Sequence, residues 1–144
     1  MSALDERFSH ALHSTARTWR LAVDRRLKDL GLSQAGWMTI AMTAKSAEPL
    51  SQIELAQRLG VEGSTMVAML DRLATAGLVE RQPSPTDRRV RLVVLTEAGN
   101  KMYERVKAEA EAFRKEVMVG VDVEQLRIAT ELLEHLERVA SAAE

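Results

Sequence analysis

The chain has 144 residues, with 20 Lys or Arg against 21 Asp or Glu, a formal net charge of −1, and 46% hydrophobic and 28% charged residues. That length fits one ordinary domain, or a small domain with dimerisation extensions, and excludes a second catalytic module and bulk disorder. Cysteine is absent, which excludes disulfides, thiolate metal sites and cysteine nucleophiles, and aromatics at 3% leave a stacking surface for single-stranded nucleic acid poorly supplied.

The first residues are charged from Asp5 onward and carry no signal-peptide pattern. No window approaches the ~18 uninterrupted apolar residues of a membrane span, so a cytoplasmic protein without a membrane partner is expected. From Leu4 to Leu30 the residues Phe8, Leu12, Trp19, Val23, Leu27 and Leu30 recur at helical spacing, with Asp24, Arg25 and Lys28 on the other side. Gly31 is the expected C-cap of this long amphipathic helix. Ser33 then caps a second helix reaching about Lys45, with Trp37, Ile40 and Ala41 as its buried stripe, and Glu48-Pro49 breaks the pattern.

Ser51-Gln52-Ile53-Glu54 fits a capping box, and the short helix it opens closes at Gly60, after Ile53, Leu55, Ala56 and Leu59. Another short helix runs from about Gly63 to Ala76, with Met66, Val67, Leu70 and Leu73 inward and Gly77 as its stop. Two short helices joined by a glycine-containing turn form a helix-turn-helix pattern. The period then changes. Residues 78–82 and 90–95 are β-branched and short, and they flank the proline-bearing stretch 83–89, which predicts a hairpin with a longish loop. Thr96 caps a further helix to about Gly120, and Asp122 with Gln125 caps a last one ending near Ala140.

These elements divide the chain into an N-terminal helix (1–31), a central lobe (32–99) and C-terminal helices (100–144). The charge follows the division. The N-terminal helix carries six basic against four acidic side chains, and the C-terminal helices seven against ten. The hairpin is locally basic, with four arginines and one aspartate between Arg81 and Arg91.

A helix fits the major groove of B-DNA, and a helix-turn-helix delivers the start of its second helix to the base edges. That start is Glu62-Gly63-Ser64-Thr65-Met66. Ser64 and Thr65 can hydrogen-bond a base or phosphate, Gly63 permits close approach, and Met66 is suited to a thymine methyl. Amides at the helix starts, Ser51-Gln52 and Gly63, can hold phosphates; Ser51 is a cap residue first and a contact residue second. Arginine enters narrow minor grooves, a role open to Arg88 and Arg89, with Asp87 placed to accept a hydrogen bond from one guanidinium. A solvated arginine cluster beside an ordinary helix pair is the competing reading. The order of the two features favours a mainly α protein with a small β wing, a winged helix-turn-helix with terminal dimerisation helices.

The apolar stripes of the terminal helices support a dimer independently. Leu4, Phe8, Leu12 and Trp19, with Val117, Val121, Leu126, Leu132, Leu133 and Leu136, exceed what one winged core needs. Each such side chain stabilises by about 1.5–3 kcal/mol when buried. A larger monomeric core is the alternative. A two-fold dimer would read an inverted repeat with half-sites roughly 10 base pairs apart.

At the residue level the sequence resembles the MarR family of bacterial transcription regulators, and within it the SlyA-like branch. The wing pattern Asp87-x-Arg89 followed, after five intervening residues, by Leu95-Thr96, and the run Gly77-Leu78-Val79-Glu80-Arg81, carry the family resemblance. Trp19-Arg20, Asp24-x-Arg26-Leu27-Lys28, Leu32-Ser33-Gln34 with Trp37, Ser51-Gln52-Ile53-x-Leu55-Ala56 and Gly60-Val61-Glu62 carry that to the branch. The resemblance implies a homodimer with interlocked terminal helices, Ser64, Thr65 and Met66 on the recognition helix, and Arg89, helped by Arg88, as wing arginine. SlyA-like members tend to have an arginine where this chain has Ala68, which implies that a direct base or phosphate contact is missing here. The resemblance also implies a response to small aromatic carboxylates, for which Arg17 and Arg20 (carboxylate) and Trp19 and Trp37 (ring) are the candidates, although both tryptophans also suit a core role. His10 and His13 with Glu6 are too few for an expected metal site, no cofactor is expected, and no nucleophile–base pair points to an enzyme. The rival to a DNA regulator is a helical protein-interaction module that uses its winged lobe to bind protein.

Overall fold

A computed structural model describes residues 2–143. In chain order it contains α1 (Ala3–Leu27), a short 3-10 turn (Lys28–Leu30), α2 (Gln34–Lys45), β1 (Leu50–Ser51), α3 (Gln52–Leu59) and α4 (Gly63–Thr75). Then come β2 (Val79–Pro83), β3 (Arg91–Leu95), α5 (Glu97–Val117) and α6 (Val123–Ala142). The chain divides into two compact units, the first ending at Glu111 and the second beginning at Ala112, so the boundary falls within α5.

Local chemistry sets most of these boundaries. The Gly36 N–H donates to Ser33 Oγ at 3.1 Å, starting α2. The Glu54 N–H donates to Ser51 Oγ at 3.1 Å while the Ser51 N–H donates to Glu54 Oε1 at 3.1 Å, a complete capping box at the head of α3. Gly60 ends α3 at φ 71°, a left-handed backbone that a side chain would strain. Asp122 accepts from the Gln125 N–H at 2.9 Å to open α6. Helix α5 stops at Val117 rather than Gly120, and α6 continues to Ala142.

In the first unit, α2, α3 and α4 enclose a core with one face of a three-stranded antiparallel sheet of order β1-β3-β2. The pairs Leu50↔Val93, Val79↔Leu95 and Arg81↔Val93 fix its register. Strand β1 was not expected from the sequence; two residues are too few to show a period. Ile40, Leu55, Leu70 and Val93 are fully buried at the centre. Ile53 and Val67 lie outside this core, which for Val67 corrects the inward placement expected from the sequence. Ile53 is 67% exposed, because on α3 it lies roughly opposite the Leu55–Ala56 stripe. Val67 is exposed and Met69 buried, since α4 packs through Met66, Met69, Leu70 and Leu73, the spacing of one helical face.

The α4–sheet junction is close-packed where Thr96 Oγ1 donates to the Gly77 carbonyl at 2.6 Å and accepts from the Gly99 N–H at 3.0 Å. A Cβ on Gly99 would lie 2.0 Å from the Leu78 carbonyl oxygen, so only glycine fits there.

In the second unit, α6 has no buried residue among those described. Val121, Leu126, Leu132 and Leu133 are all exposed, and Leu136 is half-buried. On α1, in the first unit, Leu4, Phe8 and Leu12 are exposed as well, Trp19 is half-buried, and burial begins only at Val23 and Leu27.

Candidate nucleic-acid interface

Helices α3 and α4 meet through the turn at residues 60–62. Of the helix starts in this lobe, that of α4 lacks a side-chain cap: Glu62 sits at the N-cap position and makes no capping hydrogen bond. Its first amides therefore keep open donors beside exposed Gly63, Ser64 and Thr65. Further along the same outer surface are Val67, Ala68, Asp71 and Arg72, all exposed.

The expected contacts are redistributed by this packing. Met66 is 1% exposed and belongs to the core, so it is not the apolar contact for a base; Val67, one residue on, presents the surface methyls instead. The signal for this was in the sequence, because Met66 and Met69 flank the Leu70–Leu73 repeat at three- and four-residue steps. Ser51 is also buried, with its hydroxyl spent on the capping box, which rules out a surface side-chain contact there; Gln52 beside it is half-buried. The same box holds the Glu54 carboxyl below its ordinary pKa, through the Ser51 backbone N–H first and the Ser51 hydroxyl second.

Beyond β2 the loop closes with Ser84 N–H donating to the Val90 carbonyl at 2.9 Å and Val90 N–H to the Asp87 carbonyl at 3.0 Å. Within it the Asp87 carboxylate accepts from the Arg89 backbone N–H at 3.0 Å, from Arg89 Nε at 3.2 Å and from Arg89 Nη2 at 3.4 Å. The Arg89 guanidinium, and secondarily its backbone N–H, hold Asp87 below the usual carboxylate pKa. The Arg89 side chain nevertheless remains 92% exposed. Asp87 thus orients the guanidinium without covering it. Arg88 and Arg91 are exposed and, among the described residues, have no ion-pair partner. Sequence reasoning missed Arg91, on β3 opposite Pro83, and Arg72, on the outer face of α4.

The fourth hairpin arginine is used internally. Arg81 Nη2 donates to the Val67 carbonyl at 3.0 Å and lies 2.7 Å from Asp71 Oδ1, linking β2 to the outer edge of α4.

The candidate ligand residues separate. Arg17 and Arg20 border an open cavity of about 450 Å³ on α1, together with Leu12, His13, Leu21 and Gln34. Trp37 borders a different hollow of about 330 Å³ with Met38, Met42, Lys45 and Arg58, and its indole N–H donates to Asp24 Oδ1 at 3.2 Å. Trp19 borders neither. The two arginines and two tryptophans therefore do not form one pocket within a single chain, and His13 and Gln34 are the polar neighbours that sequence reading left out. Among the described residues, no group of three or more His, Cys, Asp or Glu is placed to hold a metal. No helix among them is long and apolar enough to cross a membrane.

Comparison with known proteins bears on the fold and the family. Residues 30–90, from the end of the 3-10 turn to the end of the wing loop before β3, match the sequence model of the MarR family. The crystal structure of transcriptional regulator PA3341 is 36% identical, covering 94% of this chain and 98% of that one with a TM-score of 0.86. BldR, a transcriptional regulator from Sulfolobus solfataricus, is 27% identical over 99% of both chains with a TM-score of 0.76. CouR from Rhodococcus jostii RHA1, crystallised bound to p-coumaroyl-CoA, is 25% identical over 94% of this chain and 95% of that one, with a TM-score of 0.78.

Proposed function

The chain belongs to the MarR family of transcription regulators, and we propose that it acts as a homodimer reading an inverted repeat in double-stranded DNA. Members of this family are DNA-binding regulators and not enzymes, and repression is their typical mode. In this reading, which also places the chain on the SlyA-like branch, α4 enters the major groove with Gly63, Ser64, Thr65 and Val67 toward the bases. The wing carries Arg89 and Arg88 to the adjacent minor groove, where the narrow groove's negative potential attracts a guanidinium.

The observation that carries the proposal is the Asp87–Arg89 pair: a 92% exposed arginine side chain, oriented by the Asp87 carboxylate, in the loop of a hairpin whose strand β2 is tied to α4 through Arg81. A merely solvated arginine needs no such orientation. The second copy is supported by α6 and the first turns of α1, whose apolar residues have no cover in one chain. Burying Phe8, Leu12, Leu126 and Leu133 in an interface contributes about 1.5–3 kcal/mol each before the costs of association.

The α1 cavity, with two arginines and His13 near Leu12 and Leu21, suits a small carboxylate with an apolar body, and such a ligand would change the spacing of the two lobes. Mobility-shift titration of the purified protein against a pool of randomised duplexes tests the proposal. Retention of a symmetric duplex site supports it, and Arg89→Ala should weaken that retention substantially with the dimer intact. Titrating salicylate into the complex tests the ligand arm, where release of DNA is the expected result.

A further inference from the structure

Arg81 lies on the wing yet faces the recognition helix. Its Nη2 serves two acceptors on α4 at once, the Val67 carbonyl at 3.0 Å and the Asp71 carboxylate at 2.7 Å. Its side chain is only a quarter exposed, and its Nε is buried with no partner among the described residues. A cation destined for phosphate would be expected to keep its charge outward, as Arg88 does. Asp71, for its part, puts a negative charge on the face of α4 that would approach DNA, an arrangement that repels the backbone unless it has another use.

We propose that Arg81 and Asp71 are positioning residues that fix the base of the wing to the outer edge of the recognition helix, so that helix and wing meet the duplex as one rigid body. The inference rests on the DNA-binding reading above and assigns these two residues a role within it. The leverage is geometric. From Arg81 two strand residues and the closing loop extend to the wing tip, a lever on the order of 15 Å at about 3.3 Å per residue. A tilt of about 10° at its base moves the tip by roughly 3 Å, the length of a hydrogen bond. Arg89 would then miss a groove that α4 still occupies.

The two roles open to these residues give opposite signs. If Asp71 were only a surface charge, Asp71→Asn would remove repulsion, free Arg81 for phosphate and tighten binding. If it anchors Arg81, the same change weakens binding. The duplex retained by the wild-type protein from a randomised pool is the probe. Asp71→Asn and Arg81→Met are each expected to weaken its binding about tenfold, or about 1.4 kcal/mol. The double variant should be no worse than either single one, because both break one link. Because a tilted wing withdraws Arg89, the salt slope should become shallower in both single variants, by no more than the change expected for Arg89→Ala, whereas a phosphate contact made by Arg81 itself would make it shallower in Arg81→Met alone.

Asp71 is well exposed, so its variant is expected to fold even if Arg81→Met does not, and a melting curve of each separates instability from mispositioning. Tighter or unchanged binding by Asp71→Asn, or a salt slope reduced in Arg81→Met but not in Asp71→Asn, overturns the inference while leaving the DNA reading intact. A wild-type protein that retains no duplex overturns the DNA reading, and this inference with it.

Discussion

Replacing Arg89 by alanine removes one almost fully exposed guanidinium from each wing and leaves the core untouched. A two-fold dimer loses two such groups. Binding that releases condensed counterions falls with salt at a log–log slope of about −0.9 per phosphate neutralised, so the slope should become shallower by about 1.8. Between 50 and 200 mM salt that difference corresponds to roughly twelvefold, which means that the variant's loss of affinity is about twelve times larger at the lower salt. Fluorescence anisotropy with a labelled duplex, run at four salt concentrations for wild type and variant, measures both slopes. Asp87 modifies the outcome without changing its sign, since its carboxylate offsets part of the Arg89 charge in the free protein and makes about 1.8 an upper value. Equal slopes for the two proteins would refute the placement of Arg89 against DNA, even if the variant bound less tightly.

Met66→Ala and Val67→Ala should separate stability from recognition. The first opens a cavity in the core and costs about 2–5 kcal/mol in urea denaturation. The second changes stability by no more than about 0.5 kcal/mol while lowering affinity for the selected duplex. Gly99→Ala forces a Cβ against the Leu78 carbonyl and should destabilise by about 1–3 kcal/mol on the same assay; a neutral result would mean that the start of α5 is free to shift away from Leu78. The wing's pH dependence also follows from the structure. Asp87 titrates below its ordinary value of 3.8, so its pairing with Arg89 is fully present above that pH and is lost as pH falls through the lowered folded value. The Arg89 amide resonance should therefore hold steady from neutral pH down to 3.8 and shift only below it; movement around neutrality would contradict the pairing.

Much of the lobe is legible from local chemistry. Ser33, Ser51 with Glu54, and Asp122 announce their helices because a cap is written within four residues, and Gly60 and Gly77 mark the ends because only their backbones turn left-handed at little cost. The wing is legible for the same reason, since Asp87 and Arg89 are two residues apart. What escaped depends on packing between elements. Met66 and Val67 are adjacent and both apolar, and although the three- and four-residue steps from Met66 to Met69, Leu70 and Leu73 favour Met66, the facing core settles which one turns inward. Strand β1 exists because Leu50 pairs with Val93, more than forty residues away. Arg81 looks like one more wing cation until β2 is laid beside α4, which brings Val67 and Asp71 to its guanidinium. Within one chain Arg17 and Arg20 border a different hollow from Trp37, because helical period puts residues on stripes without saying which stripes share a cavity.

The most direct measurement is selection of bound fragments from a fully randomised duplex pool by the purified protein, followed by sequencing. A paired scaffold that presents α4 and its wing twice predicts a palindromic motif whose half-site centres lie about 10 base pairs apart, one turn of the double helix. Enrichment of no motif, or of a single unsymmetrical half-site bound by one subunit, would contradict it.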